Sequence, residues 1–206
     1  METRNSTVSK NLITICGGLH NGLVVDMCEV IYLNELVNTA GSEAEIKWQI
    51  INPENFPILS DTFYKAVTRA FGGMISTDDN KILMFGGQTN DLMSPFSDDL
   101  WEFDILSLFG ANSGSEVIKK KPGLGRPLRN FGFSYDNGVL FLAGGESSDY
   151  KSTSLVSVYV EKSEKWQDLE HLRLPKPRLN FGIMKIFDFE GLNCKFSKEI
   201  MKVKEA

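Results

Sequence analysis

Val139-Leu140-Phe141-Leu142-Ala143-Gly144-Gly145 is a run of five apolar residues closed by paired glycines, and its form recurs. Ile82-Leu83-Met84-Phe85 ends in Gly86-Gly87, and Leu12-Ile13-Thr14-Ile15-Cys16 ends in Gly17-Gly18. Short apolar runs closed by a turn signal read as buried strands. One glycine pair is an ordinary turn; three in the same setting punctuate a repeat, and a period near 50 residues decides the fold before single elements are assigned.

Working outward, an aromatic stands fourteen residues past each second glycine: Tyr32, Trp101 and Tyr159. Each lies where apolar and polar residues alternate, in 28–33, 100–105 and 155–160, which predicts a third strand. A tryptophan then marks a fourth strand in two repeats, Trp166 and, after an insertion over 34–47, Trp48; Val117 and Ile118 take its place in the middle repeat. Upstream, Arg69-Ala70-Phe71-Gly72, Arg129-Asn130-Phe131-Gly132 and Asn180-Phe181-Gly182 open the repeats, the last two preceded by Pro127 and Pro177. Thr77-Asp78-Asp79-Asn80 and Asp136-Asn137-Gly138 supply the turn between first and second strands.

Four strands, an opening Phe-Gly, a closing Gly-Gly, then an aromatic and a tryptophan resemble the kelch repeat over roughly residues 12–184. Gly144-Gly145, Tyr159, Trp166 and Pro177-Arg178 are the closest match, and Ser97-Asp98-Asp99-Leu100-Trp101 is similar to the family's third strand. The resemblance implies an all-β chain forming an incomplete kelch-type β-propeller of about three four-stranded blades plus a partial repeat. Such small twisted sheets stack radially to bury both faces, and glycine permits close backbone approach at the crowded axis.

The predicted partition is a polar N-terminal tail over 1–10, propeller repeats over 11–188, and a degenerate partial repeat or tail over 189–206. The first repeat then starts at its second strand. Either a strand from Phe181 to Asp188 supplies the missing first strand, or the chain is a piece of a longer propeller, or two copies associate. An open end sheet exposes an apolar face and predicts self-association.

The formal charge of −5 and isoelectric point near 5.2 argue against general nucleic-acid binding, which needs a basic excess. No stretch approaches the 18 or more apolar residues of a membrane span, and residues 1–10 lack the apolar core of an export signal, so a cytoplasmic location is expected. Cys16, Cys28 and Cys194 are too few and scattered for a zinc site or a disulfide scaffold, and are read as reduced and mostly buried.

In kelch propellers, the resemblance implies, partners meet the face built from the loops after the glycine pairs and those leading into each first strand. Here these are 20–24, 88–97 and 146–152, with 52–68, 119–128 and 168–177. The candidate partner-binding residues are Arg69, Lys120, Lys121, Arg126, Arg129 and Arg178, with Met93 and Phe96. Lys119, Lys120, Lys121, Arg126 and Arg129 form an acid-free cationic run that could dock acidic or phosphorylated segments; a solvated loop is the plainer reading. For Arg69, Arg129 and Arg178 the plainer reading is bracing of the lead-in loops. Phe56, Phe63 and Tyr64 are either exposed anchors or packed against a neighbouring sheet.

His20 and His171 have no spaced carboxylate or cysteine near them, so neither catalysis nor a metal site is expected, and no cofactor is. The leading expectation is a protein-interaction module, an adaptor or regulatory scaffold with a protein partner. The alternatives are a propeller enzyme or carbohydrate-binding domain, and a truncated propeller without independent activity.

Overall fold

The computed structural model describes residues 3–9, 12–32, 48–51, 60–79, 81–90, 95–104, 107 and 117–183. Among these the chain is all-β with little helix. The strands are β1 (Thr3–Ser9), β2 (Leu12–His20), β3 (Leu23–Val24), β4 (Cys28–Tyr32), β5 (Gln49–Ile51), β6 (Gly73–Ser76), β7 (Ile82–Phe85), β8 (Leu100–Phe103), β9 (Ile118–Lys121), β10 (Leu128–Arg129), β11 (Gly132–Asp136), β12 (Val139–Ala143), β13 (Glu146–Ser147), β14 (Val156–Val160) and β15 (Lys165–Asp168). Among the described residues an α-helix, α1 (Ser60–Val67), lies between β5 and β6, and a 3-10 turn spans Glu170–Leu172.

All pairing is antiparallel. The first sheet runs β1-β2-β4-β5 with β3 on β2, the second β6-β7-β8-β9, and the third β11-β12-β14-β15; β10 pairs with β13. This architecture is consistent with a β-propeller-like kelch fold.

The apolar runs alternate between two cores, as a two-residue period requires. Ile82 and Met84 join Leu12, Cys16, Val30 and Ile51 of the first sheet, while Leu83 and Phe85 join Leu140, Leu142 and Tyr159 of the third. Val139, Phe141 and Ala143 turn to the third sheet's other face, against Leu172, Leu174, Phe181 and Ile183. Both faces of the middle sheet are thus buried, as its uninterrupted Ile-Leu-Met-Phe predicts. Phe85 stacks on Phe131 with centroids 5.5 Å apart and meets Phe133 edge-on at 5.2 Å, adding to the burial energy of the second junction.

The glycine pairs are equivalent. Their φ angles are +59° and +94° at Gly17 and Gly18, +58° and +91° at Gly86 and Gly87, and +61° and +97° at Gly144 and Gly145. In each case the second glycine's N–H crosses to the next repeat: Gly18 to the Arg69 carbonyl, Gly87 to Leu128 and Gly145 to Arg178, at 2.8, 2.7 and 2.9 Å. A Cβ on Gly17 would lie 2.4 Å from the Arg69 carbonyl oxygen, which only glycine avoids.

Several expectations are corrected. Thr3–Ser9, read as a tail, is the first strand of the first sheet: Asn5 pairs with Cys16 where Gly73 pairs with Phe85 and Gly132 with Ala143. The place offered to a strand from Phe181 is therefore taken; residues 181–183 form no strand, and 184–206, with Cys194, lie outside the described residues. The opening Phe-Gly dipeptides are one residue out of register, because Gly73, not Gly72, matches Gly132.

The fourteen-residue aromatic spacing sums unequal parts. The connections before β4, β8 and β14 hold nine, twelve and ten residues, so Tyr32, Trp101 and Tyr159 fall fifth, second and fourth in their strands. Trp101 and Tyr159 face the preceding repeat, whereas Tyr32 faces the following one. Trp166 pairs with Tyr159 and Ile118 with Phe103, at equivalent register, and Trp48 sits one step beyond the Val30–Gln49 pair, at the same place.

Cys16 and Cys28, read as reduced, are joined by a disulfide between directly opposed residues of β2 and β4. Both are buried, as expected.

Candidate functional site

The loops after the glycine pairs and the segments leading into β6 and β11 converge at one end of the sheets. Gln88 bridges Ala70 and Phe96, and Glu146 bridges Arg129 and Ser152, so Ala70 and Arg129 hold equivalent positions beside equivalent partners. Where the second repeat has a methyl group, the third has a guanidinium.

Arg129 is the centre of this end. Its Nε donates to Glu146 at 2.7 Å and its Nη1 donates to Gln88. The guanidinium carbon lies 4.3 Å from the Phe96 ring centroid, 5.6 Å from Tyr150 and 5.8 Å from Phe71. Phe96 is buried and meets Tyr150 edge-on at 5.4 Å, while Tyr150 is 66% exposed. Arginine stacks on aromatic faces while its planar fork keeps donating in its own plane. Among the described residues nothing accepts from Nη2, so one edge of a rigidly held cation remains available at the rim of an aromatic cup.

The other cations go elsewhere. Arg69 is completely buried: Nε donates to the Ala66 carbonyl at 2.7 Å, Nη1 to Gly86 at 2.9 Å and Nη2 to Lys65 at 3.0 Å. Burial lowers it to about 10, against the pull of Asp99, yet it remains a guanidinium at neutral pH, as three donated bonds require. It braces α1 against the second glycine pair and is not presented to a partner. Arg178 is equivalent to Arg69, since both carbonyls accept from a glycine pair, but its side chain is exposed. Met93 lies outside the described residues.

The cationic run is not the open loop its sequence suggests. Residues 118–121 are the outermost strand of the second sheet, where Lys120 pairs with Asp99 at 2.6 Å and sits over Trp101. Lys121 reaches Glu164 at 2.7 Å and Glu102 at 3.3 Å; burial lowers its pKa, but these carboxylates outweigh it and hold the ammonium above its ordinary value. Arg126 donates from Nη1 to both Asp168 oxygens at 2.7 Å, and from Nη2 to Ser157. These acids come from other strands and loops, which an acid-free run in sequence cannot reveal.

Sequence reasoning missed Gln88, Glu146, Tyr150 and Phe71 as individual members of the cup, although the first three fall in its predicted loops. It also missed α1, where Phe63, Ala66 and Val67 are buried at helical spacing and Tyr64 faces outward. Phe56 lies outside the described residues. Between the first strands, a cavity of about 360 Å³ is lined by Ser6, Thr7, Met74, Ile75, Phe133, Ser134 and 181–183. No group of His, Cys, Asp or Glu among the described residues is placed to hold a metal, and no described helix is long and apolar enough to cross a membrane.

No protein-family profile matches the chain. A protein of Arabidopsis thaliana described as an F-box/kelch-repeat protein is 34% identical over 105 residues, which is 48% of this chain and 28% of that protein. The match supports a kelch-like family. The likeness thus spans under a third of the length of this relative. Repeats of this kind suggest a protein-interaction module in general.

Proposed function

We propose that this chain is an interaction module, an adaptor or regulatory scaffold that presents the end of the sheets around Arg129 to a protein partner. The observation that carries this reading is the Arg129 cup, a fixed guanidinium with a free edge beside exposed Tyr150. Such an arrangement suits an acidic side chain flanked by an apolar one, because the charge-assisted bond forms with little further ordering of the arginine. The module acts without catalysis, in the cytoplasm.

The three sheets are, in this reading, blades of a propeller. Propellers close with four to eight blades. Self-association through the outer face of the first sheet, where Val8 and Ile50 are exposed, belongs to this reading.

Affinity capture with wild-type, Arg129→Ala and Tyr150→Ala proteins tests the interaction reading. Protein partners retained by the wild type and lost from both variants support it. Unchanged capture of every partner, together with a measurable small-molecule ligand at the same end, overturns it.

A further inference from the structure

The three repeats solve one local problem in two ways. Immediately before each glycine pair, the second strand meets the third at equivalent register: Phe85 opposite Leu100, Ala143 opposite Val156, and Cys16 opposite Cys28. The first two pairs are apolar contacts. The third is a covalent bond that closes the twelve-residue separation around the first loop.

The three loops also differ in what holds them. The second and third loops are tied down from outside by Phe96 on Tyr150, by Arg129 on Gln88 and Glu146, and by bridges to Ala70 and Arg129. The first loop is held by main-chain bonds: Leu19 pairs with Thr3 as well as with Val24, His20 with Leu23, Val25 donates to Gly18, Gly17 to Met27 and Gly18 to the Arg69 carbonyl. Its tip residue Leu23 is 73% exposed.

We propose that Cys16 and Cys28 are a thiol–disulfide switch that fixes the 17–27 loop when oxidised and loosens it when reduced. The oxidant is a small disulfide such as glutathione disulfide. One cysteine thiolate attacks its sulfur and expels a first glutathione thiolate; the second cysteine attacks the mixed disulfide and expels the other. Two protein thiols lose two electrons and two protons, and two glutathiones form. Both cysteines are buried, in the same core cluster as Phe63, Ala66 and Val67 of α1, so exchange proceeds through local opening of the same loop. An effect on partner binding rests on the interaction reading above; loop release does not.

Full-length protein equilibrated with oxidised or reduced glutathione is alkylated under denaturing conditions, digested and mapped by mass spectrometry, with hydrogen exchange recorded on both forms. The expected result is a 16–28 linkage in the oxidised form, and exchange over 17–27 faster on the order of tenfold on reduction with the third sheet unchanged. Cys16→Ala/Cys28→Val, which copies the Ala143–Val156 pair, then exchanges like the reduced protein under both conditions. If that variant does not fold, reduced wild type gives the same readout. Two free thiols at 16 and 28 in the oxidised form, a linkage through Cys194 instead, or equal exchange in both forms each overturns the proposal. Loop release without a change in capture rejects only the coupling to a partner.

Discussion

The amide of Asn180 donates to the carbonyl of Asn130 at 2.8 Å, repeating the 2.9 Å bond that Asn130 gives to Phe71. All three residues are left-handed, with φ of +55°, +57° and +58°. One backbone turn thus passes from repeat to repeat, and residues leading to Asn180 begin another repeat unit on the far side of the third sheet.

Asparagine tolerates this conformation better than other side-chain-bearing residues, and glycine does so without strain. Asn130→Ala is therefore expected to lose about 1 kcal/mol of stability, and Asn130→Gly less than about 0.5 kcal/mol. Urea unfolding of the three proteins decides it. Equal losses in both variants would mean that the asparagine side chain, rather than φ, matters there.

At Gly86 two costs combine. A Cβ there would lie 2.6 Å from the Phe131 ring and 2.8 Å from the Leu128 carbonyl oxygen, at φ +58°. Gly125 has φ +78° but no atom within 4 Å of the same Cβ. Gly86→Ala should cost about 3 kcal/mol or prevent folding, and Gly125→Ala about 1 kcal/mol. Similar midpoints for the two would remove the argument from close approach.

What was legible in the sequence followed from local pattern. Apolar runs ended by glycine located β2, β7 and β12, and in β7 and β12 burial on both faces leaves no polar alternation to misread. Register was not legible: connection lengths of nine, twelve and ten residues conspire with different strand positions to put three aromatics at one spacing. β1 was hidden by its polar composition, since Asn5-Ser6-Thr7 gives no apolar signal. The end at which the loops gather was legible, but the residue at its centre was not. Nothing in the sequence separates Arg69, wholly buried on three carbonyls, from Arg129, held at the rim, until Leu128 proves to be the residue equivalent to Arg69.

That separation predicts opposite phenotypes. Arg69→Ala leaves three main-chain carbonyls without their donors inside the core and should cost several kcal/mol, on the scale of breaking a buried charged network. Arg129→Ala should keep the fold, with a melting temperature within a few degrees, and weaken partner binding by tenfold or more. Arg129→Lys should not restore binding, because an ammonium cannot stack while donating to Glu146 and Gln88. Circular dichroism and a binding isotherm on each variant separate the two roles; binding retained by Arg129→Ala would move the contact elsewhere.

Asp168 reports on the junction of the second and third sheets. Burial raises its carboxyl, but hydrogen bonds from Arg126 and Ser157 outweigh this and hold it below its ordinary 3.8. A depressed folded-state pKa contributes stability that is complete above the unfolded value and is lost as pH falls through the folded one. Asp168→Asn should therefore cost about 1 kcal/mol near neutral pH, the pair being partly solvent-screened, and progressively less below pH 3.8. Denaturation curves at neutral and acid pH that differ from wild type by a constant amount would contradict this assignment.

The outer face of the first sheet carries the last prediction. Val8 pairs with Ile13, Ile13 with Ile31, Ile15 with Glu29 and Glu29 with Ile50, so one side of this sheet gathers Val8, Ile13, Ile15, Ile31 and Ile50. Val8 is 54% and Ile50 56% exposed, whereas the corresponding faces of the second and third sheets are buried against a neighbour. Ile31 is already buried and Ile13 and Ile15 are half-buried, so Val8 and Ile50 are the side chains left to gain, by roughly 1.5–3 kcal/mol each on full burial, and a second copy is expected to associate through them. Sedimentation velocity should show a species larger than the 23.1 kDa chain that grows with concentration, and Val8→Lys/Ile50→Lys should return it to monomer without unfolding. Because two lysines placed there cannot be desolvated without cost, a wild type and variant that sediment identically would mean that copies of this chain do not meet through this face.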